Sequence, residues 1–113
     1  MIEVEGKIKM SHLNDLIERK REIENEHEGY NMYSHEKLKS FSDQQMCELA
    51  SSERTAKGLL RSNMYVQVCL LIKREEATDS VLKERFDRES KERQAVFSKI
   101  KQYISDAQSS GLW

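Results

Sequence analysis

Apolar residues along this chain fall mostly three, four and seven positions apart, the spacing at which side chains line up on one side of an α-helix. The clearest case is Leu82, Phe86, Val96, Phe97, Ile100, Tyr103, Ile104 and Ala107, which form one stripe. Between Phe86 and Val96 that stripe turns polar, and the positions continuing it are Glu89, Ser90 and Arg93. Nine of the eleven residues from Lys83 to Arg93 are charged. Glu84 with Arg88, Arg85 with Glu89, and Glu89 with Arg93 stand four apart with opposite sign, each pair worth about 0.2–0.5 kcal/mol to a helix. This stretch is expected to stay helical without packing on anything.

Two capping signals divide the chain. Ser42-Asp43-Gln44-Gln45 places a Ser three residues before a Gln, so that each side chain can satisfy a free amide at a helix start. Thr78-Asp79-Ser80 sets short oxygen-bearing side chains just ahead of Val81 and Leu82. The pattern predicts helices over 11–40, 42–76 and 79–108 in a single helical domain, with Gly29 able to break the first and Gly58 near the middle of the second. Before them, Ile2, Val4, Ile8 and Met10 alternate with charged residues around Gly6, a strand-like period in residues 1–10. That arm reads as a tail or early helical turn, or as a short β-arm that adds to a partner's sheet. Ser109-Ser110-Gly111 reads as a helix stop followed by a loose tail over 109–113.

A polar middle recurs in the other two helices. Helix one has Leu13, Leu16 and Ile17 near its start and Tyr30, Leu38 and Phe41 near its end, with only Ile23 between Glu18 and Glu28. In helix two the polar stretch is 51–57, between Met46, Leu49 and Ala50 on one side and Leu59 to Ile72 on the other. Short connections make neighbouring helices antiparallel, so the three polar waists are expected to lie at one level. Two readings follow. Either long Lys and Arg stems cover the thin middle, or the bundle is incomplete and a second copy or another protein supplies the missing apolar surface.

The run from Leu59 to Ile72 is the densest apolar segment, ten residues of fourteen. Arg61, Asn63 and Gln67 interrupt it, and it is too short for a bilayer, which takes about 20 such residues. A segment apolar on more than one face is core or partner seam, and Leu59, Leu60, Met64, Val66, Leu70 and Leu71 are the candidates for that role, packed by Phe86, Phe97, Ile100 and Ile104. Tyr65 to Val68 also carries strand propensity, without the turn signals a strand needs. At the end of the chain Leu112 and Trp113 are candidate partner anchors, because aromatic side chains dominate binding hot spots; Trp113 can equally tuck onto the bundle end.

Composition narrows the class. Proline is absent, glycine occurs four times, and charged residues make up 35% of the chain, which favours a few long helices. Only 37% is apolar and mean hydropathy is −0.80, so apolar residues must be concentrated on narrow stripes. The fold class that results is all-α, an elongated antiparallel three-helix bundle or a coiled-coil helical hairpin. Nineteen basic residues against twenty acidic ones leave a formal charge of −1, which gives no bulk attraction to nucleic acid or an anionic membrane. The longest basic runs, Arg19-Lys20-Arg21 and Lys73-Arg74, adjoin glutamates. Cys47 and Cys69 show no CxxC spacing and no secretory leader is read, so a reducing, cytoplasmic setting with two buried, inert thiols is expected.

Candidate chemistry is sparse. Glu24-Asn25-Glu26-His27 gives one Glu-x-x-His step, but a carboxylate-bridged di-metal site needs a second, and Lys9 and Met32 stand three residues before His12 and His35. No metal or other cofactor is implied. His35-Glu36-Lys37-Leu38-Lys39-Ser40 superficially resembles the motif of histidine phosphotransfer domains, helical bundles of similar length. That family places Lys three and Gly four residues after the phosphorylated His, where this chain has Leu38 and Lys39. Neither a catalytic triad nor a phosphate loop is present. The expectation is a non-enzymatic adaptor, chaperone-like or scaffold subunit that packs helices with itself or with another protein. The alternatives are a BAR-like helical dimer on a membrane surface, which lacks a basic stripe, and a phosphotransfer-like bundle.

Overall fold

Serine, aspartate and glycine set most helix boundaries in this chain. The computed structural model describes the backbone from Ile2 to Trp113 and the side chains from His12 onward. The described residues form five helices: α1 (Ile2–Glu26), α2 (His35–Ser40), α3 (Asp43–Ala50), α4 (Glu53–Glu76) and α5 (Ser80–Ser109). The chain is all-helical, and among the described residues there is no strand.

The expected helix over 11–40 is two helices. α1 already runs from Ile2, in place of a separate 1–10 arm, and stops at Glu26. Met1 and the side chains of residues 1–11, hence the alternation of Ile2, Val4, Ile8 and Met10, lie outside the described residues. Gly29 turns the chain with φ +88°, a conformation side chains with a Cβ rarely adopt. A new helix starts where the Ser34 side chain accepts from the Lys37 amide.

The expected helix over 42–76 also breaks. The Ser42 capping box forms in full, with Ser42 Oγ accepting from the Gln45 amide and Gln45 Oε1 accepting from the Ser42 amide. α3 then ends after Ala50 because Ser51 closes a tight turn onto the Glu48 carbonyl and Ser52 is extended. Ser51 Oγ donates to that same carbonyl and Thr55 Oγ1 donates back to Leu49, so short hydroxyl side chains compete with the helix for its own backbone acceptors. Tyr65 to Val68, with its strand propensity, lies inside α4.

α5 matches its expected span to within one residue, and Asp79 caps it by accepting from the Val81 amide at 2.8 Å. The end of the chain is not a loose tail. Gly111, at φ +74°, donates to the Gln108 carbonyl and Leu112 donates to the Ala107 carbonyl, the double closure of a Schellman motif. Trp113 then folds back, and its indole Nε1 donates to the Ala50 carbonyl at 2.9 Å, tying the terminus to the end of α3.

α4 is the central helix. α1 lies antiparallel to it, with His12 near Glu75 and Glu24 bonded by the Tyr65 hydroxyl. α5 is also antiparallel to α4, with Arg74 on Asp87 and Asn63 on Arg93. α2 packs on α4, and α3 on both α4 and α5, only along the half that holds the α4 N-terminus. The principal extents are 55 × 29 × 20 Å and the radius of gyration is 16.1 Å, against about 13 Å for a compact chain of this length. The molecule is elongated.

In the half that holds the α4 N-terminus, the upper one, the core joins Leu38, Met46, Leu59 and Ile100, flanked by Tyr33, Phe41, Val96 and Tyr103. Leu16, Ile23, Val68 and Leu70 are buried elsewhere along α1 and α4. Burying each large aliphatic side chain contributes about 1.5–3 kcal/mol. Neither thiol is fully buried as expected: Cys47 is exposed on α3 beside Tyr103 and Asp106 of α5, while Cys69 is half-buried with its pKa pushed up, chiefly by burial.

Candidate interaction surfaces

The six apolar candidates of α4 divide by the side they face. Leu59 and Leu70 are buried within the chain, so neither is available to a partner; both belong to the core. Leu60, Met64, Val66 and Leu71 are half-buried. At the far end Leu112 and Trp113 remain 61% and 40% exposed. The hydrogen bond of Trp113 to Ala50 makes it part of the bundle end rather than a free anchor.

A polar layer crosses the middle of the molecule, and its position differs from the expected one. On α5 it contains Ser90 and Arg93, as the interrupted stripe implies, and both are buried. On α4 it contains Ser62 and Asn63, fully buried, rather than residues 51–57, which lie at the helix start because the chain breaks at Ser51 and Ser52. Ser62 Oγ accepts from the Tyr33 amide at 3.1 Å and donates to the Gly29 carbonyl at 3.3 Å, pinning the α1–α2 connection onto α4. Asn63 Nδ2 donates to the Leu59 carbonyl and its Oδ1 accepts from Arg93 Nη1 at 3.2 Å.

Arg93 is 5% exposed, its Nε has no partner, and among the described residues no carboxylate bonds it. Burial holds its pKa below the usual arginine value, against the opposing pull of Glu92 and Glu89. One turn earlier Glu89 takes Arg85 Nε at 2.9 Å and faces His35 Nε2 at 3.0 Å. Arg85, then His35, hold its carboxyl below the usual range although burial opposes them.

His35 therefore has one nitrogen against a carboxylate and the other, Nδ1, buried without a partner. An incoming phosphoryl group would have to displace Glu89 from Nε2, so this geometry does not favour phosphotransfer. Glu24, from the single Glu-x-x-His step, is occupied by the Tyr65 hydroxyl, and that bond lowers its pKa while burial raises that of Tyr65. Among the described residues no three His, Cys, Asp or Glu side chains converge on one point. No described helix is long and apolar enough to cross a membrane.

Two surface features carry no signal strong enough to single them out in the sequence. The first is the apolar pair at the α5 start, Val81 and Leu82, which are 70% and 41% exposed. Leu82 stands two turns before Glu89 on the same face of α5. Glu89 is covered by the first residue of α2; no described helix covers Leu82 in the same way. Its visible signal is membership in the α5 stripe.

The second feature is a cleft of about 580 Å³ between the α1–α2 connection and the first turns of α4. Glu28, Gly29, Asn31 and Met32 form one wall; Arg54, Lys57, Gly58 and Arg61 form the other. Gly29 and Gly58 let the two backbones approach closely, since a Cβ on Gly29 would sit 3.6 Å from the Gly58 Cα. The signal here is the basic spacing i, i+3, i+7, hidden in a segment that reads simply as polar. Compared with known protein families, curated proteins and solved structures, the chain matches none.

Proposed function

We propose that this chain is a non-enzymatic protein–protein interaction module, acting in the cytoplasm as an adaptor, chaperone-like or scaffold subunit. It works as an antiparallel bundle with one position left open, which a helix from a second copy or another protein fills. The carrying observation is the exposure of Leu82 on a stripe whose later members Val96, Ile100, Tyr103 and Ile104 form or pack on the core. α2 and α3 occupy the position beside α4 and α5 in the upper half. In the lower half that position is bordered by Leu82 and Val81.

A partner's apolar helix face laid there removes these side chains from water, at about 25 cal/mol per Å² of apolar surface buried. The half-buried Phe86, one turn after Leu82 on the same stripe of α5, extends the same apolar surface. The polar layer across the middle would be left untouched.

Light scattering across a concentration series, with helicity measured on the same samples, tests this. Support comes from a rise above 13.3 kDa toward twice that mass, reversed in Leu82→Glu without loss of helix. A mass that stays monomeric at every concentration removes self-association. Association that Leu82→Glu does not weaken removes the lower half as the contact.

A further inference from the structure

We infer that the cleft between the α1–α2 connection and α4 is a second binding site, for an acidic, extended peptide segment of another protein. This does not rest on the lower-half reading, because the two surfaces share no residue.

Three cations line one wall of the cleft: Arg54, Lys57 and Arg61. Lys57 is bonded to Glu53 at 2.6 Å. Among the described residues no carboxylate lies within 4.0 Å of Arg54 or Arg61. Arg61 Nη1 instead donates to the Glu28 carbonyl at 2.7 Å, which holds its guanidinium at the edge of the cleft with other N–H donors still to satisfy. Arg54 and Arg61, two arginines without an acid partner on the rim of one cleft, form a local positive charge in a chain whose net charge is −1. The Glu28 side chain is the only acidic group in the lining, against three basic ones.

Spacing selects the ligand. Arg54 and Arg61 are seven residues apart on α4, about 10 Å along the axis at 1.5 Å per residue. A single phosphate cannot bridge that distance. A peptide in the extended polyproline II form advances about 3.1 Å per residue with three residues per turn, so carboxylates three residues apart lie on one side of it and reach both guanidinium groups. Arginine suits this role because its planar fork binds carboxylate oxygens two at a time. Between the two charges the floor is apolar: Met32 is draped over the bare backbone of Gly58, where a Cβ would collide with its Sδ. The matching sequence is therefore acidic-apolar-small-acidic, with the apolar side chain resting on the exposed methionine.

The test is a titration of the ¹⁵N-labelled protein with the peptide acetyl-Gly-Glu-Leu-Ala-Glu-Gly-amide, followed by two-dimensional NMR. Saturable shifts centred on Gly29, Met32, Arg54, Gly58 and Arg61 are expected, with a Kd near or below about 1 mM for two charge-assisted contacts. Replacing both peptide glutamates by glutamine should weaken binding at least about tenfold. Arg54→Glu should do the same with helicity unchanged, since Arg54 is exposed and makes no bond in the free protein. Lys99→Glu, on the exposed side of α5, makes an equal change in net charge and should leave binding as it is. Equal binding of the glutamine peptide, an equal loss in Lys99→Glu, or no saturable shift overturns the inference. Displacement by inorganic phosphate at about the peptide's own Kd overturns it in favour of a single-anion site.

Discussion

Replacing Asn63 and Arg93, singly and together, separates what the buried polar layer contributes from what it costs. Arg93 is a nearly buried cation whose one side-chain partner is the neutral oxygen of Asn63. In Asn63→Leu that hydrogen bond is lost while the charge stays buried. A hydrogen bond to a charged group is worth about 1.5–3 kcal/mol, so this variant should be destabilised by about that amount. In Arg93→Met the buried charge goes, relieving a desolvation penalty of several kcal/mol, but Asn63 Oδ1 is left dry and unbonded at a cost of about 1–3 kcal/mol. The two effects offset, and the variant should unfold close to the native midpoint.

In the double variant neither penalty remains. The introduced leucine and methionine side chains fill the same space with apolar atoms, and buried charges replaced in this way give about 1–4 kcal/mol of added stability. Urea unfolding followed by circular dichroism at pH 7 supplies the four stabilities of the cycle. The double variant should exceed the sum of the two singles by about 3 kcal/mol or more, far outside the roughly 0.3–0.5 kcal/mol within which independent sites add. Additivity within that margin, or an Asn63→Leu protein as stable as the native one, would refute the assignment of Arg93 as an under-compensated buried charge.

Three further outcomes follow from the same geometry. Leu70→Asp should abolish cooperative unfolding and most helicity, because Leu70 is buried on α4; a folded, helical Leu70→Asp protein would return this position to the interface. Gly29→Ala should lower stability by about 1–2 kcal/mol, the cost of a left-handed backbone for a residue with a Cβ, read as a fall in thermal midpoint. Glu89 should make the fold acid-sensitive: its folded pKa lies below the ordinary 4.5, so its contribution is fully present above that value and is lost as pH falls through the folded pKa. Glu89→Gln should flatten the stability profile on the acid side of pH 4.5, and a profile unchanged by that substitution would show that the carboxylate is not the linked group.

Local boundary chemistry is the most legible part of the chain. Ser42 with Gln45, and Asp79 ahead of Val81, make the caps their side chains allow. Ser51 and Ser52 give no comparable signal because serine tolerates helix and turn alike, and only the backbone acceptors of Glu48 and Leu49 decide between them. That single hidden break moves the polar waist from its expected place. With α4 starting at Glu53, its centre falls at residues 64–65, beside Ser62 and Asn63, and the centre of α5 falls at 94–95, beside Arg93. The polar face of α5 is visible as an interruption in a stripe. Its counterpart is hidden inside the most apolar run of the chain, since Arg61, Ser62, Asn63 and Gln67 among ten apolar residues carry no period of their own. The basic cleft is invisible for a different reason: it needs the Gly29 turn to bring the α1–α2 connection against α4.

The placement of that layer bears on how the two long helices find their register. The run from Leu59 to Ile72 is apolar on several faces, so antiparallel pairings of α4 with α5 displaced by a turn would bury similar surface. Displacement by one turn moves Arg93 from Asn63 to Leu59 or Gln67, and the Leu59 position offers its charge no side-chain acceptor. A buried polar contact that lowers stability while penalising the wrong pairing is the known use of such residues in coiled coils. The Asn63→Leu, Arg93→Met double variant should then gain stability and lose uniqueness. Its ¹⁵N spectrum should show broadened or duplicated amide peaks along α4 and α5 although its unfolding midpoint has risen. One sharp set of peaks in the more stable variant would mean that register is held elsewhere, with the Arg74–Asp87 contact near the hairpin turn as the group to remove next.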